Sequence, residues 1–237
     1  MTQTQTNPVA IVTGASRGFG KAVTAALLDR GWTVVADARR AHELKATVAE
    51  LNSDRLIGLP GDVTDASHRD ALVAAALAAG PLGLLVNNAS RLGPSPQPAL
   101  ADYPPDELRA VYDTNVFAPL ALIRAALPAL SDNAGVIVNL SSDAAVEPYA
   151  GWGGYGSSKA ALDQASAVLA AEAAAVRVYA FDPGDMRTEM HQAAFPGEDI
   201  SDRAEPETVV PALLHLLDTR PLAGRYRAAE LLSGALS

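Results

Sequence analysis

A short apolar strand, a glycine-rich turn and a helix follow one another at the start of this chain, and that order leaves few folds open. Pro8-Val9-Ala10-Ile11-Val12 is a β-branched apolar run that reads as a buried strand. Thr13-Gly14-Ala15-Ser16-Arg17-Gly18-Phe19-Gly20 follows, and Lys21 to Leu28 continues with the apolar spacing of a helix. Free backbone N–H groups at such a helix start, together with its dipole, attract a pyrophosphate. Gly14, Gly18 and Gly20 allow the tight turn and the close approach of backbone to phosphate and of strand to helix. A flexible surface turn would also explain the glycines, but not the ordered segments on either side.

The alternation continues to the end of the chain. Strands are predicted near Val9–Thr13, Thr33–Ala38, Leu56–Leu59, Leu84–Asn87, Val136–Ser141 and Arg177–Phe181. Helices are predicted near Gly18–Arg30, His42–Leu51, Ala66–Ala79, Pro105–Ala129, Gly153–Ala175 and Pro206–Asp218. Short runs that are apolar on both faces and separated by helices predict an α/β fold, a doubly wound parallel sheet covered on both sides. With 237 residues the chain fits one such domain, expected over residues 9–237 after a flexible start at residues 1–8. Gly93-Pro94-Ser95-Pro96-Gln97-Pro98 reads as a surface loop after a strand's carboxyl end, where such sheets bind ligands. Pro119 should bend or open the Pro105–Ala129 helix just beyond Asn115, as a functional irregularity or as a harmless kink.

Chemistry enters with Tyr155 and Lys159, four residues apart in Y-G-S-S-K. A phenol has an unperturbed pKa of ~10 and is a poor acid near neutrality. On a helix the two residues share a face, so the ammonium can lie beside the phenol oxygen and lower its pKa, giving a usable acid/base. Any helix can carry such a pair by chance, and its weight comes from the glycine turn that precedes it.

Taken together, these segments resemble the short-chain dehydrogenase/reductase family from about Val9 to Met190. The cofactor turn T-G-x-x-x-G-x-G is matched by Thr13 to Gly20, and N-N-A-G by Asn87-Asn88-Ala89-Ser90. D-T-N-V carries Asn115, V-N-L-S-S carries Ser142, and Y-x-x-x-K falls on Tyr155 and Lys159. P-G-x-x-x-T falls on Pro183, Gly184 and Thr188. The resemblance implies a Rossmann-type sheet and an NAD(P)-dependent oxidoreductase, here an NADPH-dependent reductase of a ketone or aldehyde, the alternatives being an NAD-dependent alcohol dehydrogenase or a non-redox or cofactor-sensing member of the same fold. It implies a catalytic set of Asn115, Ser142, Tyr155 and Lys159. Tyr155 would pass the proton, Ser142 would hold the carbonyl oxygen, and Lys159 would shift the phenol and hold the nicotinamide ribose. Asn115 would anchor a water on a proton path. It also implies cofactor contacts from Gly14, Ser16, Arg17, Gly18, Phe19 and Gly20 in the first turn. Asp62 would approach the adenine with Val63 beside it, Asn88 the adjoining ribose with Ala89 next to it, and Thr188 the nicotinamide end. Pro183, Gly184 and Met186 complete that end with Tyr155 and Lys159.

The second strand bears on the cofactor. A carboxylate at its end would hydrogen-bond a ribose 2′-hydroxyl, whereas an arginine favours a 2′-phosphate. In G-W-T-V-V-A-D-A-R-R the family's discriminating position falls on Ala38, and Arg39 follows. Asp37, one residue earlier, should turn to the other side of the strand. Arg39 with Arg17 predicts NADP (NADPH), with NAD possible should the register slip by one residue.

Composition narrows the partners. The chain carries a net charge of −9 without a basic cluster, so neither nucleic acid nor an anionic membrane surface is expected. The absence of cysteine excludes disulfides, thiol catalysis and cysteine metal sites, and four scattered histidines give no metal spacing. The polar opening Met1 to Thr6 is no signal peptide, and a cytoplasmic, soluble protein is expected. Glu147, Tyr149, Trp152 and Met190 are candidates for a substrate pocket, although the aromatic residues could equally pack the Asp185–Glu205 flap. That flap is acid-rich and points to a small neutral or cationic carbonyl or alcohol substrate. Ser90 in place of glycine, Asp182 in place of asparagine and the ending after Gly224 depart from the family pattern. A homodimer or homotetramer is expected.

Overall fold

A computed structural model describes residues 7–234. Most of the flexible start expected over residues 1–8, like the last three residues, therefore lies outside the described residues. Pro8 is already tied in, its carbonyl accepting from the Thr33 N–H at 3.0 Å.

Seven parallel strands form one sheet in the order β3-β2-β1-β4-β5-β6-β7. They are β1 (Val9–Val12), β2 (Thr33–Ala38), β3 (Leu56–Pro60), β4 (Leu82–Asn87), β5 (Val136–Leu140), β6 (Arg177–Asp182) and β7 (Gly224–Arg227). The order reverses between β1 and β4, and the crevice above that switch is where a ligand binds in such sheets. The helices are α1 (Gly18–Asp29), α2 (Ala41–Leu51), α3 (Ala66–Ala79), α4 (Pro105–Tyr112), α5 (Ala118–Asp132), α6 (Gly153–Glu172), α7 (Glu189–Ala194), α8 (Pro206–Thr219) and α9 (Ala228–Leu232).

Strands β1 and β5 are buried at every position because both sheet faces are covered. Val12, Phe19, Leu27, Phe181 and Leu213 pack on one face. Ile11, Leu72, Leu122, Ile137 and Val178 pack on the other. Burial of this apolar surface, about 25 cal/mol per Å² removed from water, dominates the stability. Between β4 and β5 the Asn87 side chain donates to Asn139 at 2.8 Å, and Asn139 donates to Ser166 at 2.8 Å. These buried amides are thus satisfied within the core.

Two differences from the sequence expectation bear on the site. The single helix expected over Pro105–Ala129 is interrupted by a π-turn at Asp113–Phe117. Pro119 stands at the start of α5 and has no N–H to return to the carbonyl of Asn115, so the ladder loosens there. The stretch Pro105–Asp132 is long and apolar enough to cross a membrane by length and composition, and half of its most apolar window is buried in the fold. The second difference is β7, which the Gly-Arg-Tyr-Arg segment did not announce; it pairs in parallel with the end of β6.

Candidate active site

The glycine turn leaves β1 and opens α1 at the switch point. Gly14 and Gly18 adopt φ of +66° and +52°, the left-handed region that glycine enters without a Cβ penalty. Asp37 secures the turn from below, its Oδ1 accepting the Gly14 N–H at 2.7 Å and its Oδ2 meeting His68 Nε2 at 3.0 Å. Thr13 Oγ1 accepts from the N–H groups of Asn88 and Ala89, each at 3.0 Å. The Asn88 amide in turn donates to the carbonyls of Thr13 at 2.8 Å and Gly14 at 3.0 Å. No side chain caps α1, so its first N–H groups remain open to a ligand.

A cleft of about 520 Å³ starts here and runs to Tyr155 and Lys159. Ser16, Arg17, Gly18 and Phe19 line its beginning with Gly14, and Arg39 and Val63 its outer side. Asn88, Ala89, Tyr155 and Lys159 line its middle, and Pro183, Met186, Thr188 and Met190 its far wall. Three cofactor residues expected from sequence, Gly20, Asp62 and Gly184, adjoin the cleft wall without lining it. Gly20 does not line the cleft: a Cβ there would lie 2.4 Å from the Asn88 amide and from the Gly14 carbonyl, so it serves the packing of helix on turn. Asp62 stands between the lining residues Gly61 and Val63, and its Oδ1 closes a turn with the Thr64 N–H at 2.9 Å and hydroxyl at 2.8 Å. Gly184 is exposed beside the cleft, and its N–H is held by Asp182 Oδ1 at 3.0 Å.

Charge at the adenosine end is mixed. Arg39 is exposed at the rim and has no ion-pair partner among the described residues. Arg17 pairs with Glu189 of α7 and approaches Glu43 at 3.8 Å. Arg40 and Glu43, both absent from the sequence expectation, pair with each other on the same rim. Their spacing of three residues at the start of α2 was the available signal. Asp37 is 1% exposed with both oxygens engaged, and it borders the cleft beside Ala38 and Arg39. Burial first of all pushes its carboxyl above the usual range, against the pull of His68 and the Gly14 N–H.

At the inner end, α6 presents Tyr155 and Lys159 toward the cleft, both buried. Lys159 Nζ lies 5.5 Å from the centre of the Tyr155 ring and donates to the Leu140 carbonyl at 2.7 Å. The expected lowering of the Tyr155 pKa by Lys159 is not found. Burial pushes the phenol well above its ordinary value and outweighs the hydroxyls of Ser90 and Ser142 that reach it. Burial also pushes Lys159 down to about 8, with Asp163 pulling it back up. The ammonium faces the ring and a carbonyl, so both groups are governed by desolvation.

Ser142 follows β5 and donates to Asp143 Oδ1 at 2.9 Å. Asn115, on the π-turn, donates to the Arg91 carbonyl at 2.9 Å and Ser158 Oγ at 2.9 Å. Its Oδ1 accepts from the Arg91 N–H at 2.7 Å and from Ser90 Oγ at 3.2 Å. Ser90 therefore ties its hydroxyl to Asn115 while lining the cleft. Trp152 stands edge-on to Tyr155 with ring centres 5.9 Å apart and touches Phe195 at 5.7 Å, and Met190 packs on the same cluster. Tyr149 leans on Trp152 and donates to Asp143 Oδ2 at 3.0 Å, while Glu147 is exposed beyond them. The acids of the flap are largely balanced: Asp185 and Asp202 approach Arg203, and Glu205 pairs with Arg187. Among the described residues no cluster of metal-binding side chains occurs.

A family model described as short chain dehydrogenase matches residues 8–199. The chain belongs to the short-chain dehydrogenase family. A serine 3-dehydrogenase of Agrobacterium fabrum is 39% identical over 189 residues, covering 76% of this chain and 72% of that protein. A sepiapterin reductase of Meriones unguiculatus is 36% identical over 201 residues, covering 78% and 77%. Among solved structures, a short-chain dehydrogenase of Shigella flexneri complexed with NADP superimposes with a TM-score of 0.87 at 28% identity, covering 94% of this chain and 97% of that one. As a short-chain dehydrogenase, the chain is an oxidoreductase, and its Tyr155–Lys159 pair lies in the same cleft as the glycine turn.

Proposed function

We propose that this protein reduces a ketone or aldehyde to an alcohol with NADPH, passing the proton through Tyr155. The observation that carries this reading is the buried Tyr155–Lys159 pair at the inner end of a cleft that begins on the glycine turn, with the Ser142 hydroxyl near the phenol. The cleft fits a dinucleotide: its start offers uncapped helix N–H groups, and a Cβ on Gly18 would reach the Thr188 methyl at 3.3 Å. Gly14, Ser16 and Gly18 would hold the pyrophosphate, Arg39 the 2′-phosphate, and Thr188 and Pro183 the nicotinamide end. The NADP complex of the Shigella relative supports the choice of cofactor. Asp37 already holds the Gly14 N–H and His68, so a ribose hydroxyl would compete with those bonds, which disfavours NAD.

The hydride comes from the reduced nicotinamide when the cofactor is bound. Ser142 turns its hydroxyl from Asp143 to the substrate oxygen and steadies the charge that develops there. Tyr155 donates its proton to that oxygen. A phenol raised by burial keeps its proton until the alkoxide forms, which suits an acid in the reductive direction. Lys159 carries the nearby positive charge that the resulting tyrosinate needs. Trp152, Met190 and Leu92 form an apolar wall beside the phenol. Asp143 and Glu147 add negative charge without an ion-pair partner among the described residues, which favours small neutral or cationic substrates.

The test is loss of NADPH absorbance across a panel of small aldehydes and ketones, with NADH in parallel. Tyr155→Phe should bind NADPH as the parent does and turn over about 10²- to 10⁴-fold more slowly. Undiminished turnover in that variant, or faster reduction with NADH, refutes the reading.

A further inference from the structure

Three charged residues outside the motifs converge behind the catalytic serine. Arg225, the second residue of β7, sends Nη2 to the Ser142 carbonyl at 2.9 Å and to Asp182 Oδ2 at 2.8 Å. Its Nε donates to Asp163 Oδ2 at 3.1 Å, and that same oxygen accepts from Ser141 Oγ at 2.7 Å. Asp182 uses its other oxygen on the Gly184 N–H at 3.0 Å. One guanidinium thus joins the turn after β5, the turn after β6 and α6, four residues beyond Lys159. Asp182 is 3% exposed at its side chain and Asp163 14%, against 24% for Arg225.

Planarity explains why this is an arginine. Its donors leave in fixed directions, so two carboxylates and a carbonyl from separate elements can be engaged at once. A lysine offers one ammonium and cannot span Nε and Nη2 positions together. Charge balance points the same way, since one guanidinium serves the carboxylates of both Asp163 and Asp182, the latter also approached by Arg227 at 3.8 Å. Arg225 spends its donors on Asp163, Asp182 and the Ser142 carbonyl, so it would act through Ser142 rather than by touching substrate or cofactor.

We propose that Arg225 is a positioning residue for the reaction, fixing the backbone of Ser142 so that its hydroxyl meets the substrate oxygen at Tyr155. Asp163 and Asp182 hold the guanidinium in place for that contact. The proposal rests on the role given to Ser142 above. It concerns the step in which charge develops on the substrate oxygen, where displacing an active-site group by 1 Å costs as much as ~100-fold in rate.

A double-mutant cycle in kcat tests it, with Arg225→Lys, Ser142→Ala and the double variant assayed under saturating NADPH. Arg225→Lys should lower kcat about 10- to 100-fold while the dissociation constant for NADPH, read by fluorescence, changes less than about twofold. In the Ser142→Ala background the same substitution should change kcat less than about threefold, because the group it positions is gone. Equal losses in both backgrounds, or a loss of NADPH binding that matches the loss of kcat, would overturn the proposal and leave Arg225 a structural residue. If Arg225→Lys melts below the assay temperature, Asp182→Asn combined with Arg225→Gln neutralises acid and base together and carries the same cycle. An inactive parent chain would instead sink the carbonyl-reductase reading, so the two failures are distinct.

Discussion

Replacing Lys159 with Met should make the protein more stable and nearly inactive, and the size of the gain follows from where the lysine sits. The folded chain releases the Lys159 proton near 8 and the unfolded chain near 10.5. At about 1.4 kcal/mol per tenfold, carrying the charge into the fold costs about 3 kcal/mol at neutral pH. Met fills similar volume without a charge. The variant forfeits the Lys159 hydrogen bond to the Leu140 carbonyl, worth about 1 kcal/mol net. A gain of about 2 kcal/mol remains, or about 4–8 °C in Tm for a chain of this size.

The pH dependence isolates the cause. Between 8 and 10.5 the unfolded chain holds the extra proton, so the parent's stability rises with pH across that window while Lys159→Met lacks this term. The difference between the two proteins should be largest at pH 7 and shrink steadily by pH 10. Urea midpoints at several pH values measure it, with m-values checked for constancy. A variant less stable than the parent at pH 7, or a difference that does not change with pH, would refute the reasoning. Its kcat should meanwhile fall by at least about 10²-fold, as befits a group that supports proton transfer.

Other expectations are smaller in scope. Arg39→Ala should weaken NADPH binding by about 1.5–3 kcal/mol, the range for a charge-assisted bond, and leave NADH within about threefold by fluorescence titration. Gly20→Ala should destabilise by about 1–3 kcal/mol, because its methyl would collide with the Asn88 amide and the Gly14 carbonyl; an unchanged urea midpoint would show that the turn gives way freely. Asp37→Ala should cost about 1–3 kcal/mol by stranding the Gly14 N–H and His68, and it should not convert the enzyme to NADH, since Asp37 is committed to the turn.

The sheet was legible where burial dictates the residues. β2 falls on Thr33–Ala38 as expected, and α3 on Ala66–Ala79, its start fixed by Asp65 accepting from the Ser67 N–H. β7 was not legible because an edge strand of Gly-Arg-Tyr-Arg carries no apolar run, and its place is set by pairing with β6 and by Arg225. Motif spacing located Tyr155, Lys159, Ser142 and Asn115, because spacing along a helix or strand translates directly into position. It could not show that Asp62 gives one oxygen to Thr64, or that Gly20 packs against Asn88. Those outcomes depend on which polar group is nearer once the chain has turned.

Electrostatics was the least legible, and the Tyr155–Lys159 pair shows why. The sequence gives their separation on α6 but not the solvent around them. In water an ammonium four residues away would lower the phenol, yet in a dry pocket each group is penalised for its own charge before it feels the other. Asp163, one turn beyond Lys159, is itself raised by burial and softened by Arg225, so it returns only part of what desolvation removes. The resting site therefore holds a protonated phenol beside a lysine within reach of losing its proton at pH 8. A proton leaving Tyr155 creates the negative charge that Lys159 lacks, so the pair becomes mutually favourable only after transfer. That ordering places the electrostatic gain on the far side of proton donation, where it lowers the barrier rather than the ground state.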